Sequence, residues 1–300
     1  MLKKIYPTLN FIFKHPLTKN NKLKSLLRYL RWQIGARILG RQVISPWIDD
    51  AKLIANIGDS GSTGNLYTGL MDYEEMLFLL HALQDTETFV DIGANKGAYT
   101  VLASKVIGAP SIAYEPIPET FEKLLDQIHI NRIDDLVKAK NNGVGNKHIN
   151  LFFTNNHDTM NKVNATGKSQ NTVEVQTIIL DEDLDKNKTY FLKIDVEGFE
   201  YNVIEGALKI LASPNTMALI LELNDSGHEF GHSNESIHHK IMGLQFTAVR
   251  YDPIRRSLTS LDSYNKNGKN TIYVKNLGLM QERCLSAPKR CIHTAGHIYL

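Results

Sequence analysis

The chain has 300 residues, 42% of them hydrophobic and 22% charged, with a net charge of +2. This composition supports a real hydrophobic core and excludes fibrous and wholly disordered classes. The charge is uneven: residues 1–48 carry ten Lys or Arg and no acid, which leaves residues 49–300 at −8.

A basic arm on an acidic body suits an anionic partner for the arm, such as a membrane surface or an acidic acceptor. No motif for specific nucleic-acid binding accompanies it. Leu9–Phe13 is a short apolar stretch ended by Lys14, so no signal peptide is expected, and no run of ~20 apolar residues predicts a membrane span. Leu23 to Leu39 reads as an amphipathic helix. Its stripe is Leu23, Leu26, Leu27, Leu30, Ile34 and Ile38, with Lys24, Arg28, Arg31 and Arg37 largely off it. The stripe suits either a membrane surface or docking on the main domain, with Trp32 at an interface. Residues 58–69, with Gly61-Ser62-Thr63-Gly64-Asn65 at their centre, have loop composition. A helix is expected over Glu74–Leu83.

From residue 88 short strands and helices alternate: strand Phe89–Ile92, helix Gly97–Val106, strand Ser111–Tyr114, helix Pro118–Ile130, strand Leu136–Lys140. Pro118 sits at a helix start, where a missing N–H costs little. Such alternation implies right-handed crossovers and a parallel sheet. Ile149–Thr154 and Val173–Ile179 interrupt it as an inserted hairpin. Strand Tyr190–Ile194, helix Glu200–Leu211, strand Met217–Leu223, helix Ile237–Gly243 and strands Gln245–Tyr251 and Asn270–Lys275 complete the pattern. The expected fold is thus a doubly wound, mostly parallel α/β sheet with an inserted β-hairpin and a helical N-terminal extension. The expected divisions are a basic helical extension (1–48), a lead-in loop and helix (49–85), the main domain (86–280) and a tail (281–300).

The chemistry centres on Asp91-Ile-Gly93-Ala94-Asn95-Lys-Gly97, where the first strand turns into the first helix. Glycines there allow a tight turn and a close ligand, and Asn95 tolerates left-handed backbone. Glu115 follows Gly93 by 22 residues at the end of the second strand, the place of an acid that holds ribose hydroxyls. Asp91 would repel a pyrophosphate and favour a cationic, phosphate-free adenosine donor, S-adenosylmethionine. Asp195 and Glu197 end a later strand and face the crevice where open α/β sheets bind ligands. They can orient an ammonium, hold a cation or take a proton. His157, in the hairpin beside Asp158 and Thr159, is a third candidate base. No spacing demands a metal, so a divalent ion is not expected.

Asp91–Gly97, Glu115-Pro116, Thr177–Leu184, Lys193-Ile-Asp-Val-Glu-Gly-Phe-Glu200 and Leu221-Glu222-Leu-Asn224 together resemble the FkbM-type methyltransferase family over roughly residues 86–255. The resemblance implies a class I methyltransferase fold, S-adenosylmethionine as donor, and O-methylation of sugars, lipopolysaccharide-like glycans or polyketides. It places Asp91, Gly93, Asn95 and Gly97 along the donor loop, Glu115 at the ribose and Asn142 near the adenine. A small-molecule or glycan acceptor is expected.

Two other readings compete. The fold could serve a non-catalytic glycan- or membrane-binding protein. His228-Glu229-Phe230-Gly231-His232 also matches the zinc-protease string, with His238 beyond it, but the flanking Gly227 and internal Gly231 argue against the helix that chemistry needs. Cys284, Cys291, His293 and His297 lie near the end of the chain. Six residues between the cysteines is not a usual zinc-knuckle spacing, and a disordered tail is expected. Two cysteines form no disulfide framework, so the expected setting is a cytoplasmic one, in which the protein can rest on a membrane.

Overall fold

The computed structural model describes residues 2–39, 42–56, 59–154, 172–224, 226–294 and 296–300. Two helices, α1 (Leu2–Lys14) and α2 (Lys22–Leu39), lead into an antiparallel hairpin of β1 (Val43–Pro46) and β2 (Lys52–Ala55). Helix α2 docks on the body through Ser25, Tyr29, Trp32 and Ala36, all buried. Arg28 fixes this face by donating from Nε to the Leu66 carbonyl at 2.7 Å and from Nη1 to the Thr294 carbonyl. Of the leucine–isoleucine stripe expected to meet either a membrane or the body, Leu26 packs against the core, while Leu23, Leu27, Leu30, Ile34 and Ile38 are exposed. Trp32 is a core residue.

The expected loop at 58–69 is largely helix α3 (Ser60–Thr68). Its small polar residues bond to the helix itself: Thr63 Oγ1 donates to the Asp59 carbonyl at 2.7 Å and Thr68 Oγ1 to the Gly64 carbonyl at 2.8 Å. Gly64 packs closely against Met71, whose Sδ would lie 2.4 Å from a Cβ there. Tertiary contact thus overrides weak helix propensity. Helix α4 (Tyr73–Ala82) follows and is buried along most of its length.

The alternating region then begins with β3 (Thr88–Ile92), α5 (Ala98–Val101, continuing as wider π-helical turns to Ile107), β4 (Ser111–Tyr114), α6 (Pro118–Asn131) and β5 (Val137–Lys140). A small three-stranded sheet comes next, made of β6 (Gly143–Val144), β7 (Asn150–Thr154) and β8 (Thr172–Ile178), with β7 and β8 antiparallel as the expected hairpin. After α7 (Leu180–Asp183) and β9 (Tyr190–Ile194), the single helix expected over Glu200–Leu211 is two, α8 (Glu200–Glu205) and α9 (Leu208–Ala212). They part at Gly206, where a Cβ would lie 2.0 Å from the Gly145 carbonyl oxygen, and Asp181 caps α9 by accepting from Lys209 and Ile210 amides.

The chain continues through β10 (Thr216–Glu222), α10 (Asn234–Gly243), β11 (Thr247–Asp252), β12 (Ser257–Ser260), β13 (Asn270–Val274), α11 (Leu277–Ser286), β14 (Cys291–His293) and β15 (His297–Tyr299). The main sheet runs β12-β11-β13-β10-β9-β3-β4-β5. The five strands from β10 to β5 are parallel, and β13, β11 and β12 close the edge antiparallel. Strands β3 and β9 are buried on both faces, which explains their nearly continuous apolar sequences. Strand order reverses around β3, so the crevice at its C-terminal end is the place for a ligand.

The expected disordered tail is a correction. Strands β14 and β15 pair, Ile292 is fully buried, and His293 N donates to the Trp47 carbonyl at 2.8 Å. Backbone pairing with the β1–β2 turn gives these residues partners that their composition does not reveal. No helix among the described residues is long and apolar enough to cross a membrane.

Candidate active site

A cavity of about 810 Å³ opens at the C-terminal ends of β3, β9 and β10. Its floor is the turn after β3. Gly93 (φ 77°), Asn95 (φ 51°) and Gly97 (φ 79°) are all left-handed, which lets the chain fold tightly into α5. A Cβ on Gly93 would stand 1.9 Å from the Asp195 carbonyl oxygen, and one on Gly97 would strike Leu124 at 2.5 Å. Gly93, Ala94 and Asn95 line the cavity, whereas Gly97 serves the packing behind it.

Glu115 closes the next strand as expected and lines the cavity. It accepts from the Asn95 amide at 2.9 Å and the Ile117 amide at 3.0 Å, so it ties the turn to β4. Burial pushes its carboxyl up to about 7. Asn142 lies on the same side, beside Ile117, Val144, Phe153 and Phe199, which form an apolar wall.

Asp91 sits elsewhere than the sequence reading assumes. It is buried beneath the turn, does not line the cavity, and accepts from Thr100 Oγ1 at 2.7 Å, while its Oδ1 has no partner among the described residues. Burial raises its pKa, and its carboxyl does not face the cavity.

The acids that line the cavity follow from strand register. Lys193 lies on β9 and Asp195, two residues on, just past its end, so the two share a face. The pairs Ile220↔Lys193 and Leu221↔Ile194 carry Glu222 of β10 to the level of Asp195. Glu197 returns to the same place through a left-handed backbone (φ 47°). One oxygen each of Asp195, Glu197 and Glu222 lie within 4.8 Å of one another. This cluster is one of two among the described residues that could hold a cation.

The three carboxyls have different environments. Burial opposes charge on Asp195, but Lys193 Nζ at 2.8 Å and a hydrogen bond from Glu222 hold it below the ordinary carboxylate range. Burial, then the Asp195 charge, push Glu222 up to about 10. Glu197 is raised by burial and by Asp195, and accepts from Asn224 Nδ2 at 3.0 Å. Burial opposes charging of Lys193 as well, yet Asp195, Asp91 and Asp72 more than offset it. Its ammonium lies 4.8 Å from the Tyr99 ring centre.

Sequence reasoning found Asp195 and Glu197 but missed Glu222 and Lys193 as members of the site. The available signal was a charge within, and another closing, otherwise apolar strands. It also missed the rest of the wall built by the N-terminal third: Phe11, His15, Asp72 and Glu75 line the cavity beside Gly61 and Ser62. Burial pushes Glu75 up to about 8. The glycine- and serine-rich segment 58–69 and the segment around the zinc-protease string differ in their relation to the cavity. Only the first lines the cavity, while Phe230 of the second packs edge-on against Phe199. His157, with Asp158 and Thr159, lies outside the described residues. The zinc-protease string does not form its helix: Ser226–Phe230 is a short 3-10 turn, His232 stacks on Tyr201 at 3.6 Å, and His238 is buried against Tyr273.

The model of the methyltransferase FkbM domain matches residues 91–273. A hexuronic acid methyltransferase, AglP of Haloferax volcanii, is 26% identical over 140 residues, which is 46% of this chain and 56% of that protein. Among solved structures, an S-adenosylmethionine-dependent O-methyltransferase from Thermotoga maritima aligns with a TM-score of 0.37 at 13% identity, covering 68% of this chain and 64% of that one. A precorrin-6y C5,15-methyltransferase from Geobacter metallireducens aligns with a TM-score of 0.37 at 12% identity, covering 68% and 88%. The family match spans more than half of the chain and includes both the turn after β3 and the carboxylates of β9 and β10, and the chain belongs to the FkbM methyltransferase family.

Proposed function

We propose that this protein is an S-adenosylmethionine-dependent O-methyltransferase acting on a hydroxyl of a glycan-type acceptor. The observation that carries the proposal is the carboxyl cluster Asp195, Glu197 and Glu222 set against the glycine turn in one cavity. The family implies the donor, and the residues present suit it. Gly93 lets the turn pack directly against the Asp195 carbonyl, with which any Cβ would clash, while the turn itself lines the cavity. Glu115 keeps lone pairs beyond its two amide bonds for ribose hydroxyls. Asn142 and the wall of Ile117, Val144 and Phe153 suit an adenine. Asp195, held ionised by Lys193, suits the methionine ammonium. The donor supplies an electrophilic methyl group on a sulfonium.

The chain's own task is to orient the acceptor oxygen and remove one proton. Environments that push neighbouring carboxyls apart assign roles. Asp195 is held too acidic to be the base, and Glu222 keeps its proton and donates to Asp195. Glu197, partly exposed and with a raised pKa, takes the hydroxyl proton while Asn224 holds its Oε2. Lys269 is exposed on the cavity lining and offers a cation to an acidic sugar. Calorimetry with S-adenosylmethionine tests the donor. Incubation with uronic-acid-containing oligosaccharides, read by mass spectrometry for added CH₂, tests the acceptor. An intact fold that fails to bind the donor favours the non-catalytic reading instead.

The proposal includes a docking surface on α2. Leu23, Leu27, Leu30, Ile34 and Ile38 form a stripe 42–77% exposed, flanked by exposed Lys24, Arg31 and Arg37. An anionic membrane surface complements both the apolar stripe and the basic flanks. A two-fold dimer through the same stripe would bring like charges together.

A further inference from the structure

Strands β14 and β15 bring three metal-ligating side chains to one face, far in sequence from the carboxyl cluster. Alternation along β14 sends Ile292 into the core and leaves Cys291 and His293 on the opposite face. Antiparallel pairing sets His297 directly across from His293, so both imidazoles share that face with the thiol. One ligand atom from each of Cys291, His293 and His297 lies within 4.8 Å of the others.

We propose that Cys291, His293 and His297 bind one Zn²⁺ ion. A tetrahedral zinc with a sulfur ligand at about 2.3 Å and a nitrogen ligand at about 2.0 Å separates those two atoms by about 3.5 Å. Cys291 Sγ and His297 Nδ1 are 3.7 Å apart. The two imidazoles are edge-on, with ring centres 4.8 Å apart at 84°, which keeps them from stacking face to face. His293 Nε2 donates to the Asp49 carbonyl at 3.0 Å, which leaves the lone pair on Nδ1. Carbonyl contacts of this type orient histidine ligands in metal sites. Asp49 braces the thiol as well: its Oδ1 accepts from the Cys291 amide at 2.8 Å and its own amide donates to the Cys291 carbonyl at 2.9 Å. One thiolate and two imidazoles form a borderline-soft ligand set that suits zinc over magnesium or calcium. A water completes the fourth position.

The ion would lock the two strands of the hairpin together and fix the Cys291 and His293 groups that bond to Asp49 in the turn between β1 and β2. That hairpin also carries the Thr294 carbonyl that holds Arg28 of α2. Zinc would therefore stabilise the N-terminal assembly that walls the cavity, without touching the methyl-transfer site.

The test is metal analysis of the purified full-length chain after zinc loading and gel filtration, with Co²⁺ substitution as a spectroscopic check. One zinc per chain is expected, falling at least tenfold in Cys291→Ser and in His297→Ala. Cobalt should give a thiolate charge-transfer band in wild type that Cys291→Ser lacks. Chelation should lower the Tm of wild type and leave that of Cys291→Ser unchanged. His297 is exposed, so His297→Ala should keep the fold even if Cys291→Ser does not. Failure of wild type to retain zinc, or equal zinc in wild type and His297→Ala, overturns the proposal.

Discussion

Glu222→Gln tests the proton assignment at the cluster. Burial and the neighbouring Asp195 charge put the folded-state pKa of Glu222 at about 10, against an ordinary 4.5. The folded chain therefore holds a proton that the unfolded chain releases. The resulting stability is present in full below pH 4.5 and is lost as pH rises toward about 10. Each pH unit in that window costs about 1.4 kcal/mol. From pH 5 to pH 8 wild type should lose on the order of 4 kcal/mol through this group, or roughly 6 °C in Tm. Glutamine is nearly isosteric, cannot ionise, and can donate to Asp195 as the protonated acid does. Differential scanning fluorimetry without donor should show the Tm of Glu222→Gln pulling above that of wild type as pH rises. Donor affinity should stay within a few-fold. Subtracting the two profiles removes the buried acids common to both, Glu75, Glu115 and Glu200. Parallel Tm profiles would refute the reasoning, because Glu222 would then be ionised in the native chain.

Glu197→Gln should lower the rate of methyl transfer by roughly 100-fold or more while leaving donor affinity unchanged, as expected for loss of a general base; an unchanged rate would move the base elsewhere. Gly93→Ala should cut donor affinity more than tenfold in calorimetry, since left-handed backbone costs a non-glycine residue about 1–2 kcal/mol and the added Cβ would force the Asp195 carbonyl to move. Flotation with vesicles rich in anionic lipid should recover wild type in low salt, and Leu27→Glu with Ile34→Glu should abolish this without changing Tm; equal recovery on neutral vesicles would show that the basic flanks contribute nothing.

Much of the architecture was legible from period and punctuation. Alternating apolar runs and helical segments dictated the parallel strands β3, β4, β9 and β10, because such strands are buried on both faces and contain few polar residues. The glycine turn, Glu115 and the acids ending β9 stood out because ligand crevices form where strands end. Local sequence could not tell which way a side chain faces once its neighbours are fixed. Asp91 reads as a cavity acid, yet its carboxylate turns beneath the loop to Thr100. Helix α2 displays an apolar stripe, yet the face around Tyr29 and Trp32 enters the core. Residues 60–68 carry loop composition, yet their hydroxyls bond within the helix they form.

The sequence alone therefore determined the fold class and one half of the site, because both depend on patterns a few residues long. Only the tertiary structure decided that Glu222 joins Asp195, that α1 and α3 complete the cavity, and that Cys291, His293 and His297 share a face. Each of those depends on strand register or on docking between segments far apart in the chain, which local spacing does not encode.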